Sequence, residues 1–125
     1  MIKPPKLNIG DIIATISPSW GCAGDEDVRW KYELGVKRLE ELGLHVVTAP
    51  NSLKGTEYLA QHPEARAEDV MWAFENSAVK AIIANIGGND SHKLLPYLNP
   101  ETIRKNPKIF CGYSDVMNLH LYCYQ

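Results

Sequence analysis

Four short apolar runs alternate along the chain with segments that have helical spacing. The runs are rich in β-branched residues and stop at Pro, Gly or Asn, which is typical of buried strands. They cover Ile12–Ser17, His45–Ala49, Ala81–Ile86 and Lys108–Cys111. Because apolar residues follow one another instead of alternating with polar ones, the pattern predicts strands buried on both faces.

Helices are predicted between these strands. The first begins after Asp27, a candidate N-cap, and ends at Gly43. The predicted helical segments are Val28–Leu42, Pro63–Asn76, Lys93–Leu98, Glu101–Lys105 and a last one from about Val116. The segment Asn51–His62 has no clear period and is expected to be irregular.

This alternation predicts an α/β fold, a parallel sheet flanked by helices. A chain of 125 residues has room for one such domain. In parallel sheets, ligands lie outside the carboxyl ends of the strands. Those ends fall at Pro18–Gly24, Pro50–Asn51, Gly87–Ser91 and Gly112–Asp115.

Composition removes several classes of function. The chain has 13 Lys and Arg against 15 Asp and Glu, with no basic block, so nucleic acid is not an expected partner. No apolar stretch approaches the roughly 20 residues of a membrane span. Neither an apolar leader, a CxxC pair nor a histidine pair at metal-binding spacing is present. We therefore expect a cytoplasmic protein without a metal or another cofactor.

The tetrapeptide Gly112–Asp115 (GYSD) follows a strand and precedes a helix. In a nucleophile elbow, such a turn lifts the serine oxygen above the sheet, and the next amide faces a developing oxyanion. The GxSxG pattern is half matched, because Val116 stands where the second glycine belongs. The alternative is that Ser114 or Asp115 only caps the helix.

A second candidate is Gly87–Ser91 (GGNDS), which leaves the third strand. A Gly-Gly pair permits positive φ, so that amides can turn toward an anion or an oxyanion. This makes Gly87, Asn89 and Asp90 candidates for substrate binding. The alternative is a plain turn in which Asp90 or Ser91 caps the next helix.

A serine nucleophile needs a base to accept its proton. The four histidines are His45, His62, His92 and His120, and none is placed convincingly. His120 falls in the same predicted helix as Ser114 and is expected to point away from it. Either Ser114 is not a nucleophile or the base lies beyond Gln125. The apolar ending of the chain favours a piece of a longer protein.

Three motifs in this order resemble serine peptidase family S66, which contains the LD-carboxypeptidases and the microcin C immunity peptidases. They are ISPSW, AIIANIGGNDSHKLLPYL and NPKIFCGYSDV. The middle motif is closer to the immunity branch. The resemblance spans the chain but covers only the family's N-terminal domain. It implies that residues 1–125 are that α/β domain, and that a C-terminal domain carries the glutamate and histidine of the triad.

The resemblance also implies roles for individual residues. Ser114 would be the nucleophile, and the backbone amides of Asp115 and Gly88 would be the oxyanion donors. Family members are cytoplasmic, need no metal and commonly form homodimers. Met117 departs from the family, which usually has threonine at this position.

The implied reaction is hydrolysis of an amide bond. The substrate would be a murein tetrapeptide ending in D-alanine or an aminoacyl nucleotide like microcin C. Without the glutamate and histidine, the 125 residues alone are expected to be inactive. The alternative from another class is a non-catalytic α/β domain that binds a small ligand or a partner at Gly87–Ser91.

Overall fold

Four parallel strands form one sheet in a computed structural model, which describes residues 2–125. The strands are β1 (Ile12–Ile16), β2 (His45–Thr48), β3 (Val79–Ala84) and β4 (Ile109–Cys111). Their order is β2-β1-β3-β4, and every neighbouring pair is parallel. The predicted sheet is confirmed, and its strands differ from the predicted ones only at their ends.

Residues 2–125 also form five α-helices and three 3₁₀ helices. The α-helices are α1 (Arg29–Glu41), α2 (Thr56–Gln61), α3 (Pro63–Glu75), α4 (Pro100–Lys105) and α5 (Met117–Tyr124). The 3₁₀ helices are Cys22–Gly24, Ser91–Tyr97 and Ser114–Val116. Across residues 2–125, no helix combines the length and the apolar character needed to cross a bilayer.

Two local predictions are wrong, and one residue explains both. The segment expected to be irregular contains α2, whose first amide, that of Thr56, donates to Asp25 Oδ1 at 2.8 Å. Asp27 does not cap α1; instead the Asp25 carbonyl accepts the amides of Val28 and Arg29, at 3.0 and 2.9 Å. Asp25 thus supports the starts of two helices, one of them distant in sequence.

The strand order of the sheet has a switch point between β1 and β3. The connection from β1 leads to β2 on one side, whereas the connection from β3 leads to β4 on the other. Because such crossovers are right-handed, the helices after β1 and β3 lie on opposite faces of the sheet. The loops that follow these strands therefore diverge, and a crevice forms where parallel sheets bind ligands.

The buried core lies between the sheet and α3. Every residue from Ile13 to Ile16 in the central strand β1 is buried. Val70, Ala73 and Phe74 of α3 pack in one cluster with strand residues and with side chains from the later helices. In contrast, α1 buries none of its residues and leaves Trp30 and Leu34 exposed, although their spacing is helical.

A buried acid fixes the loop between β2 and α2. Asp69 of α3 is 2% exposed and accepts the backbone amide of Asn51 at 3.1 Å and its side-chain amide at 3.0 Å. Burial raises the pKa of Asp69 to about 6, although the hydrogen bonds from Asn51 oppose this shift. The loop is thus held by a carboxyl that is harder to ionise than an exposed one.

Replacing Ile82 by alanine tests the position of the core. Ile82 is 0% exposed, so Ile82→Ala should lower the free energy of unfolding by about 2–5 kcal/mol in urea denaturation. Ile2→Ala makes the same change at a side chain that is 62% exposed and should stay within about 0.5 kcal/mol of the wild type. Equal losses in both variants would contradict the placement of β3.

The pKa of Asp69 predicts a pH dependence of stability. Its folded-state pKa, about 6, lies above the ordinary value of 3.8, so the folded protein binds the proton more tightly. The stabilisation is therefore complete below about pH 4 and is lost as the pH rises through 6, by about 3 kcal/mol. Asp69→Asn should remove this loss, which urea unfolding between pH 4 and 7 would measure. Identical pH profiles for both proteins would refute it.

Candidate active site

Ser114 lies at a sharp turn between β4 and α5. It has φ 60° and is the one non-glycine residue with positive φ among residues 2–125. A Cβ added to Gly112 would lie 2.7 Å from Val116 Cγ1, so only glycine fits two residues before the serine. The chain therefore forms the strained strand–turn–helix elbow that the sequence predicts, and Ser114 is exposed at its apex.

The Gly87–Gly88 pair packs beside this elbow. A Cβ on Gly87 would lie 3.4 Å from Ser114 Oγ, and one on Gly88 would lie 2.2 Å from Ser19 Oγ and 3.0 Å from the amide nitrogen of Trp20. Neither glycine uses the positive φ that the pair permits. Glycine is needed at position 88 because the neighbouring chain leaves no room for a side chain, whereas a Cβ on Gly87 would fit tightly.

The Asp115 carboxylate joins three strand-end loops. Its Oδ2 accepts the hydroxyl of Ser19 and the amide of Ser91, the latter at 2.8 Å, and its Oδ1 accepts Asn118 Nδ2 at 3.1 Å. Burial raises the pKa of Asp115, but the hydrogen bonds from Ser19 and Ser91 outweigh it, so the pKa lies below its ordinary value. The group is therefore an anion at neutral pH.

These contacts answer the capping alternatives for both motifs. No side-chain cap bond forms at the start of the helix that follows Tyr113, so neither Ser114 nor Asp115 caps its own helix. Asp115 instead accepts the first amide of the 3₁₀ helix Ser91–Tyr97. Asp90 and Ser91, the two expected caps of that helix, make no capping bond, because the Asp90 carboxylate binds elsewhere and the Ser91 hydroxyl donates to the Asp115 carbonyl.

The partner of Asp90 is Arg66, for which no pattern in the sequence predicts a role. Arg66 lies on α3 and is 1% exposed. Its Nη1 donates to the Ser19 carbonyl and to Asp90 Oδ1, both at 2.8 Å, and its Nη2 lies 3.3 Å from Asp90 Oδ2. One buried guanidinium thus binds the loop after β1 and the loop after β3.

A cleft of about 370 Å³ opens between these two loops. Trp20 and Ala60 line it together with Gly88, Asn89 and Asp90. The indole of Trp20 is half-exposed and donates through Nε1 to Thr56 Oγ1 at 3.0 Å, and the Thr56 hydroxyl in turn donates to Asp25. Substrate binding by Gly87, Asn89 and Asp90 stays a prediction, but two of the three line this cleft.

Within residues 2–125, no histidine forms a hydrogen bond with Ser114, and His92 is exposed in the 3₁₀ helix Ser91–Tyr97. His120 packs edge-on against Phe110 with ring centroids 4.9 Å apart, and His62 contacts Glu64 at 2.8 Å. His45 begins β2 and so lies at the amino end of the sheet, opposite to Ser114. No hydrogen bond among the described residues reaches Ser114 Oγ.

Other chemistries find little support in the same residues. Burial raises the pKa of Cys22 and raises that of Cys123 to about 11, so neither favours the reactive thiolate. Between Ile2 and Gln125, no three His, Cys, Asp or Glu side chains form a cluster suited to a metal ion. The exposed serine at the elbow remains the strongest candidate for a reactive group.

Comparison with known protein families identifies the family of this chain. The sequence model of the LD-carboxypeptidase N-terminal domain, Peptidase S66, matches residues 13–125. The chain belongs to peptidase family S66. This confirms the resemblance drawn from the three motifs.

Two S66 relatives come from Bacillus subtilis and carry provisional names. YocD, named as a carboxypeptidase, is 36% identical over 96% of this chain and 36% of its own length. A protein named as a murein peptide carboxypeptidase is 35% identical over 98% of this chain and 37% of its own. The chain thus spans about a third of the length of these relatives.

Solved structures of S66 proteins share the fold. An MccF-like protein from Streptococcus pneumoniae, in complex with AMP, has a TM-score of 0.86 and 40% identity over 92% of this chain and 34% of its own. The microcin C7 self-immunity protein MccF of Escherichia coli, in complex with aspartyl sulfamoyl adenosine, has a TM-score of 0.82 and 28% identity over 95% and 35% of the two chains. Both agree with a parallel sheet flanked by helices.

Gly88→Ala tests the tight packing at the S66 elbow. The added methyl group would meet Ser19, which cannot move freely because Asp115 holds its hydroxyl, so we expect a loss of about 1–3 kcal/mol in the free energy of unfolding. Gly35→Ala is the control, since it lies in α1 with no atom near the new methyl, and it should stabilise the protein by about 0.5–1 kcal/mol. Thermal and urea unfolding measure both. A Gly88→Ala variant as stable as the wild type would contradict the packing.

Proposed function

We propose that residues 1–125 are the N-terminal nucleophile domain of an S66-type serine carboxypeptidase. The observation that carries the proposal is the positive φ of Ser114, which presents its hydroxyl at the apex of the elbow, next to Gly87. Family membership supports the same assignment. The proposed reaction is hydrolysis of an amide bond through an acyl-enzyme.

In the proposed mechanism, Ser114 Oγ attacks the carbonyl carbon of the amide and loses its proton to a base. The amides of Asp115 and Gly88 donate hydrogen bonds to the oxyanion, and donors that are already in position favour the transition state. The C–N bond then breaks, the amine leaves with the proton from the base, and the acyl group stays on Ser114. Water attacks the acyl carbon in the second half, and Ser114 recovers its proton.

We place the base outside these residues. The chain covers about a third of its relatives' length, and no histidine within residues 2–125 hydrogen-bonds Ser114. A histidine oriented by a glutamate, both beyond Gln125, completes the proposed triad. The 125 residues alone are therefore expected to be inactive, and the complete protein is proposed to be a cytoplasmic homodimer.

The proposed substrate is a small aminoacyl or peptidyl amide. One relative is named for murein peptides, whereas solved structures of MccF and an MccF-like protein hold aspartyl sulfamoyl adenosine and AMP. Both substrate classes present an amide carbonyl to a serine, so the elbow suits either. A murein tetrapeptide ending in D-alanine and an aminoacyl sulfamoyl adenosine are the two candidates.

The first test is covalent labelling of Ser114. The complete gene product should react with a fluorophosphonate probe, and mass spectrometry should locate the adduct on Ser114. Ser114→Ala should abolish labelling, because the attacking oxygen is lost. Ser77→Ala, at an exposed serine after α3, should label like the wild type. Equal labelling of Ser114→Ala would exclude Ser114 as the nucleophile.

Substrate choice needs a second test. The complete protein would be incubated with the tetrapeptide or with aminoacyl sulfamoyl adenosine, and release of D-alanine or of the amino acid would be followed by chromatography. Cleavage of one compound would assign the class. Turnover of neither by a protein that the probe labels would place the substrate outside both classes, and an unlabelled protein would favour a non-catalytic ligand-binding domain.

A further inference from the structure

Arg66 is a buried cation, and its burial requires partners that compensate for the loss of water. A guanidinium without partners is very costly inside a protein, and Arg66 has a side-chain exposure of 0%. Its partners are not on its own helix. They are the Ser19 carbonyl and the Asp90 carboxylate, which are 47 and 24 residues away along the chain.

The two groups that Arg66 binds lie close to Gly88. Ser19 packs directly on Gly88, since a Cβ there would lie 2.2 Å from Ser19 Oγ, and Asp90 follows Gly88 by two residues. The amide of Trp20 also donates to the Gly87 carbonyl at 3.1 Å. Gly88 therefore packs against chain segments that the guanidinium of Arg66 links to each other.

The same segments are tied to the elbow from the other side. The Ser19 hydroxyl and the Ser91 amide both donate to the Asp115 carboxylate. Ser19 thus gives its carbonyl to Arg66 and its hydroxyl to Asp115, next to Ser114. A shift of Ser19 would change the position of Gly88 relative to Ser114.

We infer that Arg66 is a positioning residue for the reaction, which holds the Gly88 amide where the oxyanion forms. The inference rests on the proposed function of Ser114 and Gly88. Arg66 lies at the wall of the cleft, but its side chain is 0% exposed, so we infer that it acts through Ser19 and Asp90. Its planar fork can bind two acceptors in different loops at once, which a lysine ammonium does poorly.

Lys93 cannot take over this role. Its Nζ lies 3.8 Å from Asp90 Oδ2, but the side chain is exposed to solvent. It reaches only Asp90 and makes no hydrogen bond to the Ser19 carbonyl. The charged link between Ser19 and Asp90 is therefore made by Arg66.

The test compares Arg66→Lys and Asp90→Asn in the complete protein, with Asp69→Asn as the control. Asp69 is a second buried charged residue of α3, but it binds the Asn51 loop and neither Ser19 nor Asp90. For each variant the measurements are kcat, KM, the rate at which a fluorophosphonate labels Ser114, and the thermal midpoint. The substrate is whichever of the two candidates the wild type cleaves.

Arg66→Lys should lower kcat and the labelling rate by about 10²-fold, the low end of the effect of losing one oxyanion donor, with little change in KM. Asp90→Asn should cause a smaller fall in the same two rates, because the bond from Arg66 to Ser19 remains. In the double variant, kcat and the labelling rate should fall no further than in Arg66→Lys, since both changes break the same link between Ser19 and Asp90. Asp69→Asn should alter stability but neither rate.

Three results would overturn the inference. The first is a folded Arg66→Lys protein with wild-type kcat and labelling rate. The second is an equal fall in kcat for Asp69→Asn, which would make the effect one of general stability. The third, if Arg66→Lys does not fold, is an Asp90→Asn protein with unchanged rates. A wild type that is not labelled at Ser114 refutes the proposed function and the inference together, whereas a labelled wild type with unaffected variants refutes the inference alone.

Discussion

The arrangement of the site depends on one ionised carboxylate, that of Asp115. A parallel sheet brings the carboxyl ends of its strands to one edge, but it does not fix the loops that follow them. Asp115 does this by accepting hydrogen bonds from Ser19 after β1, from Ser91 after β3 and from Asn118 in α5. Hydrogen bonds to a charged acceptor are stronger than neutral ones, so three loops hold one geometry around an exposed serine.

A buried cation complements this anion. Arg66 and Asp115 lie on different elements, yet both bind Ser19, one through its carbonyl and the other through its hydroxyl. The charge of Arg66 is balanced by Asp90, which keeps the guanidinium stable in the interior. The site therefore rests on a polar network under the loops, while the hydrophobic core between the sheet and α3 supports the strands that carry them.

Much of the fold and part of the site could be predicted because their signals are local. Continuous apolar runs mark the four strands, and Gly112–Asp115 carries the elbow within four residues. The polar partners could not be predicted, since a hydrogen bond between distant residues leaves no periodic pattern. Ser19 and Asp115 are 96 residues apart in the sequence, and Thr56 and Asp25, which also form a hydrogen bond, are 31 residues apart. For the same reason the sequence pattern predicts neither α2 nor the contacts of Arg66.

The backbone of Ser114 has a thermodynamic consequence. A non-glycine residue in the left-handed region costs about 1–2 kcal/mol, and Ser114 has φ 60°. Glycine would relieve this strain, whereas alanine would retain it, so removing the hydroxyl in these two ways is not equivalent. A more relaxed chain is available at this position only without the oxygen that the elbow presents. The fold thus gives up some stability to keep this hydroxyl exposed, and the cost lies in a single backbone angle.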